Sequence, residues 1–243
     1  PRLRRAFQLA NFAMHLQHSW DKSKSRHGPL RWRPFQLGFL LLSAPSSVMR
    51  DHEHRGVMDL LWFPTGGGKT EAYLALIACI AVYRRLTDHA DDHSGVCALM
   101  RYTLRLLTTQ QFARSAAMIV ALESIRSGRV AAPEGLPLQG EEPFSIGLWE
   151  NPDCAMCGLL PVHTVDEDVY DNRPTLIIGT SDKFAQVVRE KRTNSLFAVS
   201  KGSPPDLIIQ DELHLISGPL GTIAGVYESA FDLMFAARGH RAK

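Results

Sequence analysis

Pro64-Thr65-Gly66-Gly67-Gly68-Lys69-Thr70 decides the reading of this chain. An apolar run, Val57 to Phe63, precedes it and reads as a buried strand. Glu71 to Leu86 follows and reads as a helix. A strand, a glycine-rich turn, Lys-Thr and a helix together make a cradle for phosphate. Glycine lets the backbone turn tightly and bring N–H groups up to phosphate oxygens, and the helix N-terminus adds the positive end of its dipole. In that arrangement Thr65, Gly66, Gly67 and Gly68 line the loop, Lys69 reaches the β- and γ-phosphates of ATP, and Thr70 places a hydroxyl on Mg2+. The longer form of the pattern wants a glycine where Phe63 stands, so the strict motif is not met. An ordinary Gly-rich loop ahead of an amphipathic helix is the bland alternative.

A second site component lies far along the chain. Asp206 to Gln210 reads as a buried strand and runs straight into Asp211-Glu212-Leu213-His214. A strand end can fix Asp211 beside the phosphate loop, where it would hold Mg2+ through water, and Glu212 would polarise the attacking water as general base. A strand ending in a charged turn is common, so the motif gains its weight from sharing a chain with Gly-Lys-Thr.

Between these stretches, apolar runs at Gly95–Met100, Phe144–Trp149 and Thr175–Gly179 alternate with helical patterns at Thr103–Arg126, Asp182–Lys191 and Ser217–Phe235. Strands that are apolar throughout, alternating with helices, predict an α/β fold with a parallel sheet covered by helices on both faces. The loops after the strands would then gather at one edge. Leu3–Trp20 predicts a helix, giving a short helical N-terminal extension over 1–29. The ATP-binding domain would run over 30–243, with an insertion at about 127–174 that begins in the Gly- and Pro-rich stretch Ser127–Pro143.

The 243 residues are 45% hydrophobic, enough for a full core, and the net charge of +2 marks no strongly basic nucleic-acid binder. No run of eighteen apolar residues suggests a membrane span, and Arg2, Arg4 and Arg5 precede no secretory core. Four cysteines are too few for a disulfide framework; with the phosphate loop they point to a reducing, cytoplasmic setting. The chain opens on Pro1 and stops after a helical pattern, as a piece of a longer protein would.

The motif pair resembles superfamily 2 helicases, whose first RecA-like domain carries Pro-Thr-Gly-x-Gly-Lys-Thr as motif I and Asp-Glu-x-His as motif II. The intervening residues are similar too. Thr103-Leu-Arg105-Leu-Leu-Thr-Thr-Gln110 looks like motif Ia, Gly179-Thr180-Ser181-Asp182-Lys183 like motif Ib, and Leu30–Gln36 like the upstream Gln motif. The resemblance implies that Gln36 reads adenine, that Arg105 and Thr180 touch a nucleic-acid backbone, and that His214 couples the ATP site to its surroundings. Motifs III to VI are missing, so it covers the first RecA-like lobe only. The runs at 33–39, 61–73, 99–112 and 210–221 are similar, more narrowly, to the large helicases of the bacterial DISARM anti-phage system. That likeness implies ATP hydrolysis, a DNA partner (single-stranded, or duplex with a single-stranded end), a second RecA-like lobe and the partner protein DrmB. The alternative is a nucleotide- and DNA-binding scaffold without turnover of its own. A P-loop kinase or transporter ATPase fits less well.

Cys154-x-x-Cys157 is half of a zinc site, with His163 as a third ligand and the fourth unassigned; two plain thiols are the other reading. Cys79 and Cys97 sit in apolar runs and read as core. His52 and His54 flank Glu53 in what reads as a solvated loop, and Trp20, Trp32 and Trp149 read as packing residues.

Overall fold

The computed structural model describes residues 1–22, 26, 28–64, 66–87, 93–133, 138, 140–149, 161–199 and 202–243, and at 105–107, 109 and 219 the backbone alone. Five strands form one all-parallel sheet: β1 (Ala98–Tyr102), β2 (Ile146–Trp149), β3 (Val162–His163), β4 (Leu176–Thr180) and β5 (Leu207–Gln210). Their order is β3-β2-β4-β1-β5. Ala98 of β1 pairs with Leu176 on one side and Leu207 on the other, so the three central strands are in step and end together.

The described residues form seven α-helices: α1 (Arg2–Trp20), α2 (Pro34–Val48), α3 (Lys69–Arg85), α4 (Arg105–Arg126), α5 (Asp166–Asn172), α6 (Ser181–Phe184) and α7 (Gly218–Ala236), of which α5 lies where the sequence shows no clear period. Successive strand residues point to opposite faces. Ala98, Met100, Tyr102, Leu176 and Ile178 pack into a core shared with α1 to α4. Leu99 and Ile177 point the other way, into a second core with Trp149, Phe184, Tyr227, Phe231 and Phe235. The α/β prediction with a covered parallel sheet is met. Helix α3 explains its own sequence: every residue from Ala72 to Val82 is buried, as an all-apolar helix against a sheet must be. Each large side chain buried there contributes about 1.5–3 kcal/mol. Helix α1 belongs to the same core through Ala6, Leu9, Ala10, Ala13 and Met14. Cys79 and Cys97 are buried and Trp149 is a core residue, as read, whereas Trp20 is 45% exposed at the end of α1 and is not.

The two cores meet a buried ion cluster at the start of β5. Asp206 is enclosed and accepts from Arg55 Nη2 at 2.8 Å and Arg84 Nε at 2.6 Å, with Arg50 Nε at 3.8 Å. Burial pushes this carboxyl up, but the guanidiniums of Arg84, Arg55 and Arg50 outweigh it and hold the pKa below the usual carboxylate value.

One expectation fails. Val57–Phe63 is not a buried strand: it has no regular structure, and Met58 and Trp62 are 75% and 83% exposed. A groove of about 1420 Å3, lined by Leu61 and Trp62 on one wall and Leu207 and Ile209 on the other, separates this segment from β5. The rung beside β5 goes to the chain's last residue instead: Lys243 N donates to Asp206 O at 2.8 Å, and Ile208 N donates to Lys243 O at 2.9 Å. Apolar residues become a strand only when a neighbouring backbone completes the ladder, and no such partner pairs with Val57–Phe63 among the described residues. The helix expected over Asp182–Lys191 is also shorter: α6 is one turn, and 3-10 turns at Ala185–Val188 and Lys191–Phe197 follow it. No helix among the described residues is long and apolar enough to cross a membrane.

Candidate nucleotide site at the carboxyl edge of the sheet

The glycine-rich loop delivers Lys69 as the first residue of α3. Gly66 and Gly68 have φ of 79° and 90°, the left-handed region that glycine enters without strain. The loop is held from one side by the start of α2. Gln36 Nε2 donates to Gly68 O at 2.8 Å, Arg33 Nη1 donates to Gly67 O at 2.8 Å, and Gln36 Oε1 accepts from Arg33 N at 2.8 Å. A Cβ on Gly68 would stand 2.7 Å from Gln36 Nε2, so a side chain there would push the amide from its place as well as strain the backbone. Phe35 and Phe63 stack at 3.7 Å between ring centroids, which ties the loop's incoming chain to α2.

Across the edge, β5 delivers the carboxylates. Asp211 N donates to Arg101 O, extending the ladder one residue beyond the strand, and Asp211 Oδ1 accepts from Glu212 N at 3.0 Å. Glu212 has φ of 49°. This turn aims its carboxylate back at the loop: Oε1 lies 3.9 Å from Lys69 Nζ, and Oε2 lies 3.3 Å from Nδ1 of the exposed His214. Burial pushes the Asp211 carboxyl above its usual pKa and the Glu212 charge adds to this, against the Glu212 N–H and the Lys69 ammonium.

The structure therefore brings together Gly66, Gly67, Gly68, Lys69, Thr70, Gln36, Asp211, Glu212 and His214 at one edge. Thr65, Cys154 and Cys157 lie outside the described residues. Among the described residues no group of three or more His, Cys, Asp or Glu side chains could hold a metal ion. One end of the Gln36 amide bonds to the loop, Nε2 donating to Gly68 O, and the other caps its own helix, Oε1 accepting from Arg33 N. Thr180 closes β4 opposite Tyr102 and is only 8% exposed. Arg105 opens α4, three residues past the end of β1 and so at the same carboxyl edge.

Three participants were missed in the sequence. Arg33 holds the loop, and its only sequence signal is its place before Pro34 with Gln36 three residues on, the spacing of a helix cap. Glu71 and Arg114 form an ion pair between the first turn of α3 and the middle of α4. Nothing in the sequence pairs them.

No protein-family model matches the chain. A search of curated proteins finds a relative 32% identical over 96% of the chain. The chain resembles the DISARM protein DrmA of Bacillus paralicheniformis. The narrow likeness read from the four motif-bearing runs is thereby met. The chain spans 30% of the length of DrmA.

Proposed function

We propose that this chain is the ATP-binding lobe, RecA-like in fold, of an ATP-dependent DNA helicase or translocase acting in anti-phage defence. The observation that carries the reading is the Lys69–Glu212 approach, 3.9 Å across the carboxyl edge of a parallel sheet. A lysine at a helix N-terminus beyond positive-φ glycines faces a carboxylate pair at a strand end, and those are the parts phosphoryl transfer requires. The donor set suits Mg-ATP: loop N–H groups and an ammonium for phosphate oxygens, and the Thr70 hydroxyl and Asp211 carboxylate for the ion. When bound, Mg2+ would supply charge neutralisation for the phosphates. Lys69 would leave Glu212 for the β- and γ-phosphates, which frees that carboxylate to take a proton from water. Thr70 and Asp211 would orient the ion. Resemblance to a DISARM protein extends the proposal to DNA as substrate, with Arg105 as phosphate contact and the more buried Thr180 in a lesser part, and to DrmB as partner.

A second reading, a nucleotide switch without turnover of its own, is favoured by the contacts of Glu212, which faces Lys69 and His214. Hydrolysis on this reading waits for a second lobe with its arginine.

Lys69→Ala tests the site. It removes a charge-assisted contact worth about 1.5–3 kcal/mol, so affinity for a fluorescent ATP analogue should fall at least tenfold. Unchanged binding would remove the loop from the nucleotide site.

A further inference from the structure

Glu71 is the third residue of α3, next to Thr70. Its carboxylate lies against the phosphate loop: Oε2 stands 3.7 Å from the place a Cβ on Gly68 would take. A bare carboxylate at that distance opposes the binding of a polyphosphate, because both carry negative charge in a partly desolvated site. Arg114 reaches this carboxylate from α4, with Nη2 donating to Glu71 Oε1. Its guanidinium is braced at Nη1 by Gln111 Oε1 at 3.2 Å, and its main-chain oxygen accepts from Gln17 Nε2 of α1 at 2.9 Å. Arg114 is nine residues beyond Arg105, about 14 Å along the helix axis. Helix α4 therefore presents Arg105 at the carboxyl edge of the sheet and its compensating charge at the phosphate loop.

We propose that Arg114 is a positioning residue for nucleotide binding: through Glu71 it sets the charge beside the phosphate loop, and so ties the affinity of the loop for anions to the position of α4. The proposal rests on the reading of the Lys69 loop as the ATP site. It makes a sign prediction that packing alone does not make. Arg114→Ala takes one positive charge away from Glu71 and weakens nucleotide binding, whereas removing the Glu71 charge as well restores it.

The test is a titration of the 243-residue chain with a fluorescent ATP analogue and Mg2+, with thermal melts of every variant. Arg114→Ala should raise Kd on the order of tenfold, the effect of taking one positive charge from beside the loop. Glu71→Gln combined with Arg114→Ala should return Kd to within about twofold of the parent, and Arg114→Lys should stay close to the parent. If Arg114→Ala does not fold, Arg114→Gln in the same cycle carries the same predicted signs. A double variant as weak as the single one overturns the proposal, since the loss then comes from packing. So does an Arg114→Ala chain that binds like the parent while Lys69→Ala does not. If Lys69→Ala binds like the parent, the ATP-site reading itself falls.

Discussion

Glu212 occupies backbone space that residues with a Cβ seldom enter, at φ 49°. Such a conformation costs roughly 1 kcal/mol and persists only where the surroundings impose it. Here it turns a strand-end carboxylate back toward Lys69. In a protein that carries the second lobe as well, Glu212→Gln should keep nucleotide binding and lower single-turnover hydrolysis about a hundredfold, because the amide keeps the shape but takes no proton. Glu212→Gly should raise the melting temperature by relieving the backbone while also losing hydrolysis. A glycine variant that hydrolyses like the parent would free Glu212 from the role of base. His240 carries a second residue-level prediction. Its Nε2 lies 2.9 Å from Pro205 O, which can only accept, so that nitrogen holds the proton. Burial lowers its pKa from 6.5 to about 4, against the pull of Asp206. The unfolded chain then takes up a proton below pH 6.5 that the folded chain refuses until about pH 4, and stability falls across that window as pH drops. Asp206, held below 3.8, adds a further loss at lower pH with the same sign. Urea midpoints should decline from pH 7 to pH 5 in the parent. His240→Gln, which still donates to Pro205 O, should flatten that decline.

At the level of elements, α4 is the candidate rod between nucleic acid and nucleotide. Arg105→Ala should weaken binding of a labelled single-stranded oligonucleotide alike for all sequences. It should lower the salt slope by about 0.7, the value of one phosphate contact on a single strand. ATP affinity without the oligonucleotide should hold. An unchanged slope would return Arg105 to the status of a surface arginine. Elements that consist of one local pattern were legible from the sequence: α3 in its apolar run from Ala72 to Val82, β4 and β5 in their aliphatic stretches, and the Lys69 and Asp211 turns at their ends. Val57–Phe63 is as apolar as those strands but for Asp59, yet forms none, since pairing depends on what lies beside it in space. The loop's supports were hidden for a similar reason. Gln36 meets Gly68 across 32 positions, Arg114 meets Glu71 across 43, and Arg55 meets Asp206 across 151. Local periodicity carries no trace of such contacts.

For the whole molecule, the groove between β5 and Val57–Phe63 governs behaviour in solution. An exposed segment without a hydrogen-bond ladder opens to protease at little cost. Limited proteolysis should therefore cut first within 57–63, and Trp62 fluorescence should be quenched by iodide, with Trp62→Phe removing the most quenchable part of the emission. Protection of this segment equal to that of β1 would contradict the arrangement. Heat capacity registers the same feature calorimetrically. A folded chain of 243 residues ordinarily absorbs about 3 kcal/mol/K on unfolding, because apolar surface passes from dry to wet. On the 57–63 side of the groove, Met58 and Trp62 are wet before unfolding begins and so add little to that uptake. The chain should therefore melt with a heat-capacity increment below the value its length predicts, and a ligand that closes the groove should restore the difference.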